Sequence, residues 1–162
     1  MDLTHHQEQV KIKQKENNKF FKRLKRLKPK VLDNLIHPLH EDVFSCVNCL
    51  ECANCCTTTG PLFTDKDISR IAKHLRIKPS EFTEKYLRID EEGDYVLQSV
   101  PCPFLGKDNY CSVYDVRPKA CKEFPHTDRI KQHQLLKLTE KNVEVCPAVY
   151  DIVEKLKTEL VK

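Results

Sequence analysis

Cys46-Val47-Asn48-Cys49-Leu50-Glu51-Cys52-Ala53-Asn54-Cys55-Cys56 places five thiols within eleven residues, spaced C-x2-C-x2-C-x2-C-C. Four more cysteines follow at Cys102, Cys111, Cys121 and Cys146. A thiolate binds zinc or iron strongly and a neutral thiol does not. Several thiolates brought together without a cation repel one another. A C-x2-C turn curls two sulfurs toward one centre, and overlapping turns repeat that device in a short stretch. The run therefore points to a fold organised around metal. Cys46, Cys49, Cys52 and Cys56 also follow C-x2-C-x2-C-x3-C, the spacing of bacterial-type iron–sulfur ligands, although Thr57 stands where that pattern carries Pro. Cys55 and Cys56 point in different directions, to two ions or to two faces of one cluster, unless one is a small buried hydrophobe.

The rest of the composition narrows the classes. Nine cysteines is an odd number, so a disulfide framework would leave one thiol over. The segment Met1-Asp2-Leu3-Thr4-His5-His6-Gln7 lacks the apolar run of a signal peptide, and no stretch has the ~18 apolar residues of a membrane span. The expected location is the reducing cytoplasm, where clustered cysteines serve metal or redox chemistry. With 162 residues, 40% of them apolar, the chain suits one modest core that a metal would staple. Net charge is +4, with residues 1–30 at +7 and the remainder at −3, so the basic character belongs to an arm.

Along the chain, residues 1–19 read as a mobile polar segment. Phe20, Leu24, Leu27, Val31 and Leu35 line one helical face, with Pro29 either kinking that helix or opening a second one. Thr64 with Asp67 predicts a capping box for a helix over 65–76, and Pro79 opens another over 79–88 with Phe82 and Tyr86 inward. Asp90 to Asp94 reads as a tight turn. Tyr95–Val100 reads as a short strand, paired in a hairpin with 111–114. A helix over 130–142 would bury Leu135 and Leu138. A last one over 147–161 starts at Pro147 and buries Val149, Ile152, Val153, Leu156 and Leu160. The expected fold class is mostly α with a small β hairpin. It comprises a basic, partly mobile helical arm over 1–40 and a compact, metal-stapled cysteine domain over 41–162.

Beyond the run come Pro101-Cys102-Pro103-Phe104-Leu105, then Cys111-Ser112-Val113-Tyr114-Asp115-Val116-Arg117-Pro118-Lys119-Ala120-Cys121, then Phe124-Pro125 and Cys146-Pro147. This multipart pattern resembles the YkgJ-type cysteine-cluster family of zinc- or iron-chelating domains, over roughly residues 45–150. The resemblance implies metal ligands at Cys49, Cys52, Cys55, Cys56, Cys102, Cys111, Cys121 and Cys146. Cys46 lies outside it, as an extra ligand or a spare thiol. Some relatives accompany a protein-lysine methylation activity and are associated with iron–sulfur centres. The resemblance thus implies a chelating module, not a reaction. Eight sulfurs suit two four-coordinate sites, or one cluster with additional structural thiols.

Around the cysteines, Arg117 reads either as a cation serving the thiolates or as a structural partner of Asp115. His126 reads as a fourth ligand of a mixed site or as a loop residue. Tyr114, Phe104 and Phe124 are expected to pack around the metal loops. No Gly-rich phosphate loop, H-E-x-x-H or Ser/His/Asp arrangement is present, and capping accounts for Asp65 and Asp67. The expected function is metal binding, with zinc or iron as the cofactor, the latter also as an iron–sulfur cluster. The alternatives are an iron–sulfur redox enzyme and an accessory protein of a protein-modifying system. A protein partner is compatible with this reading. Nucleic acid binding through the basic arm ranks lowest, since the body is slightly acidic.

Overall fold

The computed structural model describes residues 2–161. In chain order the elements are α1 (Leu3–Leu24), α2 (Pro29–Phe44), α3 (Cys49–Cys52), α4 (Asn54–Thr58), β1 (Leu62–Phe63), α5 (Asp65–Leu75), α6 (Pro79–Tyr86), β2 (Leu87–Ile89), β3 (Tyr95–Leu97), a 3-10 turn (Tyr114–Val116), α7 (Lys119–Glu123), α8 (Gln132–Val145) and α9 (Pro147–Glu159). The fold is mostly α with a little β, as the periodicities predict. Two compact units divide it. One takes the chain up to Cys52 together with the chain from Pro125 on, and the other is Ala53–Phe124.

The first unit is a helical assembly of α1, α2, α8 and α9. Residues 1–19, expected as mobile, form most of α1 from Leu3 onward, opened by the Asp2 carboxylate, which accepts the N–H groups of Thr4 and His5 at 3.0 Å each. Phe20, Phe21 and Leu24 then enter a core with Leu32, Ile36, Leu136 and Val149. Each such side chain contributes about 1.5–3 kcal/mol on burial. Pro29 opens α2 as its first residue, and that restart changes the phase of the apolar face. Leu32, Ile36 and Val43 are therefore the buried positions, while Val31 is exposed. A similar shift corrects α8: Leu136 is buried and Leu138 is exposed. Asp33 of α2 caps α8, accepting the N–H groups of Lys131 and Gln132 at 2.8 Å each. In α9, Val149, Ile152, Val153 and Leu156 are buried as expected. Lys157 joins α9 to α1, donating to Glu16 (2.5 Å) and Asn17 (2.6 Å) as well as to Glu154 (2.6 Å).

The second unit carries a three-stranded antiparallel sheet in the order β1-β3-β2. Leu62 faces Val96, and Leu87 and Ile89 face Leu97 and Tyr95. The expected partner of Tyr95–Val100 was 111–114. Instead the turn at Asp90–Asp94, closed by Gly93 at φ +86°, returns the chain from β2, and Cys111 makes only an isolated bridge to Leu105. The predicted capping box is present: Asp67 N–H donates to Thr64 Oγ1 at 3.2 Å, and Thr64 N–H donates to Asp67 Oδ2 at 3.0 Å. Phe82, fully buried, stacks on Phe104 with ring centroids 6.0 Å apart and planes 6° apart. Ile68, Ile71, Leu87, Leu97 and Val113 fill the space around them.

Candidate metal centre

The cysteine run is interrupted by Ala53, which takes a left-handed conformation (φ +46°) between α3 and α4. That residue also begins the second unit. Cys46, Cys49, Cys52 and Cys146 thus belong to the first unit, and Cys55, Cys56, Cys102, Cys111 and Cys121 to the second.

Within the second unit, backbone contacts gather distant cysteines. Cys102 N–H donates to the Cys56 carbonyl at 2.8 Å. Leu105 N–H donates to the Cys102 carbonyl at 3.1 Å, and Leu105 bridges Cys111. Gly106 makes the loop between them tight: its N–H reaches the Tyr110 carbonyl at 2.7 Å, and a Cβ there would stand 2.6 Å from Asp108 Oδ1. Cys121 sits on α7, whose start is fixed from α5. Asp67 Oδ1 accepts the Lys119 N–H at 3.1 Å. Arg70, paired with Asp67 at 2.6 Å, donates to the carbonyls of Val116 (3.2 Å) and Arg117 (2.9 Å). The sequence alone assigns Asp67 to capping and misses this second task. The signal available was Asp67-Ile68-Ser69-Arg70, an acid and a base three apart on one helix.

The electrostatics of this group are those of crowded thiols. Burial pushes Cys121 up to about 12, with the charges of Cys56, Cys102 and Cys111 adding to the rise. Burial likewise raises Cys102 to about 11, and Cys56 and Cys111 contribute. Cys111 is raised by burial, with the Cys56 charge adding and the Val113 N–H opposing. Cys56 is raised by its hydrogen bond with Cys55, whose sulfur is 4.0 Å away, and then by burial. Only a positive charge relieves such a set. Arg117 supplies one: it lowers both Cys111 and Cys121. Its Cζ lies 3.9 Å from the Tyr114 ring centroid, and its Nη1 donates to the Tyr114 carbonyl at 2.7 Å.

In the first unit, α3 sets Cys49 and Cys52 at the ends of one helical turn, on a shared face. Burial pushes Cys146 up to about 11, against the N–H groups of Val149 and Ala148, and the charges of Cys49 and Cys52 add to the rise. Cys146 and Val47 pack on the same buried cluster of Val43, Ala148 and Ile152. Cys46 is exposed, 3.4 Å from Ser45 Oγ. His126, also in this unit, is half-buried at φ +69°, and its carbonyl accepts Gln132 Nε2 at 2.8 Å. None of the nine cysteines is joined in a disulfide. Among the described residues, no three His, Cys, Asp or Glu side chains stand close enough to enclose an ion as they lie. Cys56, Cys102, Cys111 and Cys121 share an electrostatic neighbourhood in the second unit, and Cys49, Cys52 and Cys146 share one in the first.

A family model described as "putative zinc- or iron-chelating domain", CxxCxxCC, matches residues 48–147. The chain belongs to the CxxCxxCC family. The match takes in all the cysteines but Cys46, and leaves out α1 and α2. An uncharacterized protein of Methanocaldococcus jannaschii is 32% identical over 91 residues, covering 54% of this chain. The chain spans about half (49%) of that relative's length. No solved structure matches. Among the described residues, no helix of this CxxCxxCC protein is long and apolar enough to cross a membrane.

Proposed function

We propose that this protein is a metal-binding module whose cysteine thiolates hold zinc or iron. Cys49, Cys52, Cys55, Cys56, Cys102, Cys111, Cys121 and Cys146 are the proposed ligands. The observation that carries the reading is the group Cys56, Cys102, Cys111 and Cys121. Their four thiols come from separate segments of one compact unit, and the Cys56 charge adds to the rise that burial causes in Cys102, Cys111 and Cys121. A divalent cation inverts that situation, because a coordinating thiol gives up its proton outright. The chemistry of these four donors suits such an ion: they are all sulfur and all half-buried, and Arg117 offers one further compensating charge. Soft thiolate sets select zinc, or iron as an iron–sulfur centre.

In such a site the ion would supply charge neutralisation and a crosslink between segments. The protein's part is to deliver the sulfurs. The Cys102–Cys56 backbone contact brings the early run to the second segment, and Asp67 with Arg70 fixes the approach to Cys121. Nine cysteines, five of them clustered, favour a reducing compartment such as the cytoplasm. Metal analysis and an absorption spectrum of protein purified without oxygen test the assignment. Bound zinc, or iron with visible colour, supports it, and folded protein free of both metals contradicts it.

A further inference from the structure

We infer that the exposed face of α1 is a docking surface for the phosphate backbone of a nucleic acid duplex, without regard to base sequence. Lys11, Lys15, Lys19 and Lys22 on α1, and Arg26 just after it, recur at steps of four, four, three and four, and all five are exposed. That spacing lays them along one side of the helix, over roughly 22 Å at the helical rise per residue. The other side is fixed in the core by Phe20, Phe21 and Leu24, with His6 and Asn17 also buried. Among the described residues, no ion pair reaches any of the five cations. Other lysines of the same unit do find acids: Lys13 meets Glu154, Lys155 meets Asp42, and Lys157 meets Glu16 and Glu154. Like charges three and four residues apart on a helix repel, so the row destabilises the folded chain until an outside polyanion relieves it. The Ala53–Phe124 unit is electrically balanced, with eleven bases and eleven acids, so the net charge of +4 belongs to the unit that carries α1.

The make-up of the face selects the partner. Protein interfaces are anchored by aromatic and apolar groups and are poor in lysine, whereas this face is lysine-rich and both Phe residues of α1 are buried. A helix that lies on a membrane needs a free apolar side; that of α1 is taken up by the core, leaving Ile12 exposed beside the row. Single strands are held by stacking on exposed aromatic rings, which α1 does not present. A duplex offers a stiff array with one charge per ~1.7 Å of its axis. Lysine point charges in a straight row match such an array and contact phosphate without reading bases. The row precedes the residues that the family model matches, so it is a surface added to the chelating module.

Full-length protein titrated into fluorescently labelled duplexes of two unrelated sequences, with anisotropy read across a salt series, tests this. Both duplexes should bind alike, and log K should fall against log salt with a slope of roughly −4 to −5 for five phosphate contacts. K15Q/K22Q should reduce that slope by about two and weaken binding in about 50 mM salt about tenfold or more. K66Q/K73Q, which removes two exposed lysines of α5, should leave slope and affinity unchanged. No duplex binding in about 50 mM salt overturns the proposal. Equal losses in the two variants make the effect one of net charge and overturn the assigned surface. Binding to phosphatidylserine vesicles or to poly-glutamate, with none to the duplexes, overturns the choice of partner. Each of these results leaves the chelation reading standing, since metal analysis decides that separately.

Discussion

The backbone N–H of Cys102 donates to the carbonyl oxygen of Cys56 at 2.8 Å, joining the end of the cysteine run to a residue 46 positions later. The bond uses no side chain, so it can hold the two segments in place whether their sulfurs carry protons or a metal. Ligation and folding are therefore separable at Cys102. C102S, which keeps the N–H, should lose the metal of the Ala53–Phe124 unit. The metal-free variant should melt within a few degrees of the metal-free parent. Metal analysis with calorimetry checks both halves.

Asp67 is nearly fully buried, with its side chain 2% exposed, and burial alone would raise its pKa. The hydrogen bonds from Thr64, Arg70 and the Lys119 N–H outweigh burial and hold the carboxyl below its ordinary value. A depressed folded pKa contributes stability that is fully present above the unfolded value of about 4 and is lost as pH falls through the folded value. The metal-free protein should therefore lose stability on acidification below about pH 4, and D67N should flatten that slope while costing about 1–3 kcal/mol near neutrality. Urea unfolding across pH measures both.

Arg117 lowers the proton affinity of Cys111 and Cys121, which burial raises. Metal must displace those protons, so its binding strengthens with rising pH. R117Q should move the pH midpoint of zinc uptake upward. R117K should restore part of the charge without the planar stack on Tyr114. Zinc titrations at several pH values, with a competing indicator, read the shift.

Phe21 of α1 is 1% exposed within the core of the helical unit. If the basic N-terminal segment is an integral layer of that unit, F21A should cost about 3–5 kcal/mol. A detachable arm would tolerate the same change with little loss. Denaturant unfolding followed by circular dichroism distinguishes the two.

Local signals were legible in the sequence wherever neighbours a few residues apart decide the geometry. Thr64 with Asp67, Pro29, Pro147 and Gly93 each mark the boundary they predict. The errors arose where phase or partnership depends on distant chain. The face read through Val31 fails because Pro29 restarts the helix and turns Leu32 and Ile36 inward, while Leu35 packs at the edge of the core. Tyr95 pairs with β2 because the Asp90–Asp94 turn brings Ile89 opposite it, which a search for β-rich stretches passes over. The cysteines themselves stand out by number and spacing, but their grouping does not. Cys52 and Cys55 look like one motif and lie in different compact units, separated by the left-handed Ala53. The two tasks of Asp67 are 52 residues apart in sequence and meet only in the folded chain.

The central claim is that sulfur atoms from both parts of the cysteine pattern surround a cation. X-ray absorption at the edge of the bound metal addresses it most directly. The account predicts a ligand shell dominated by sulfur, at about 2.3 Å from zinc or at the corresponding iron–sulfur distance. A shell of nitrogen and oxygen, or a metal content left unchanged by serine replacement of all eight proposed ligands, would contradict it.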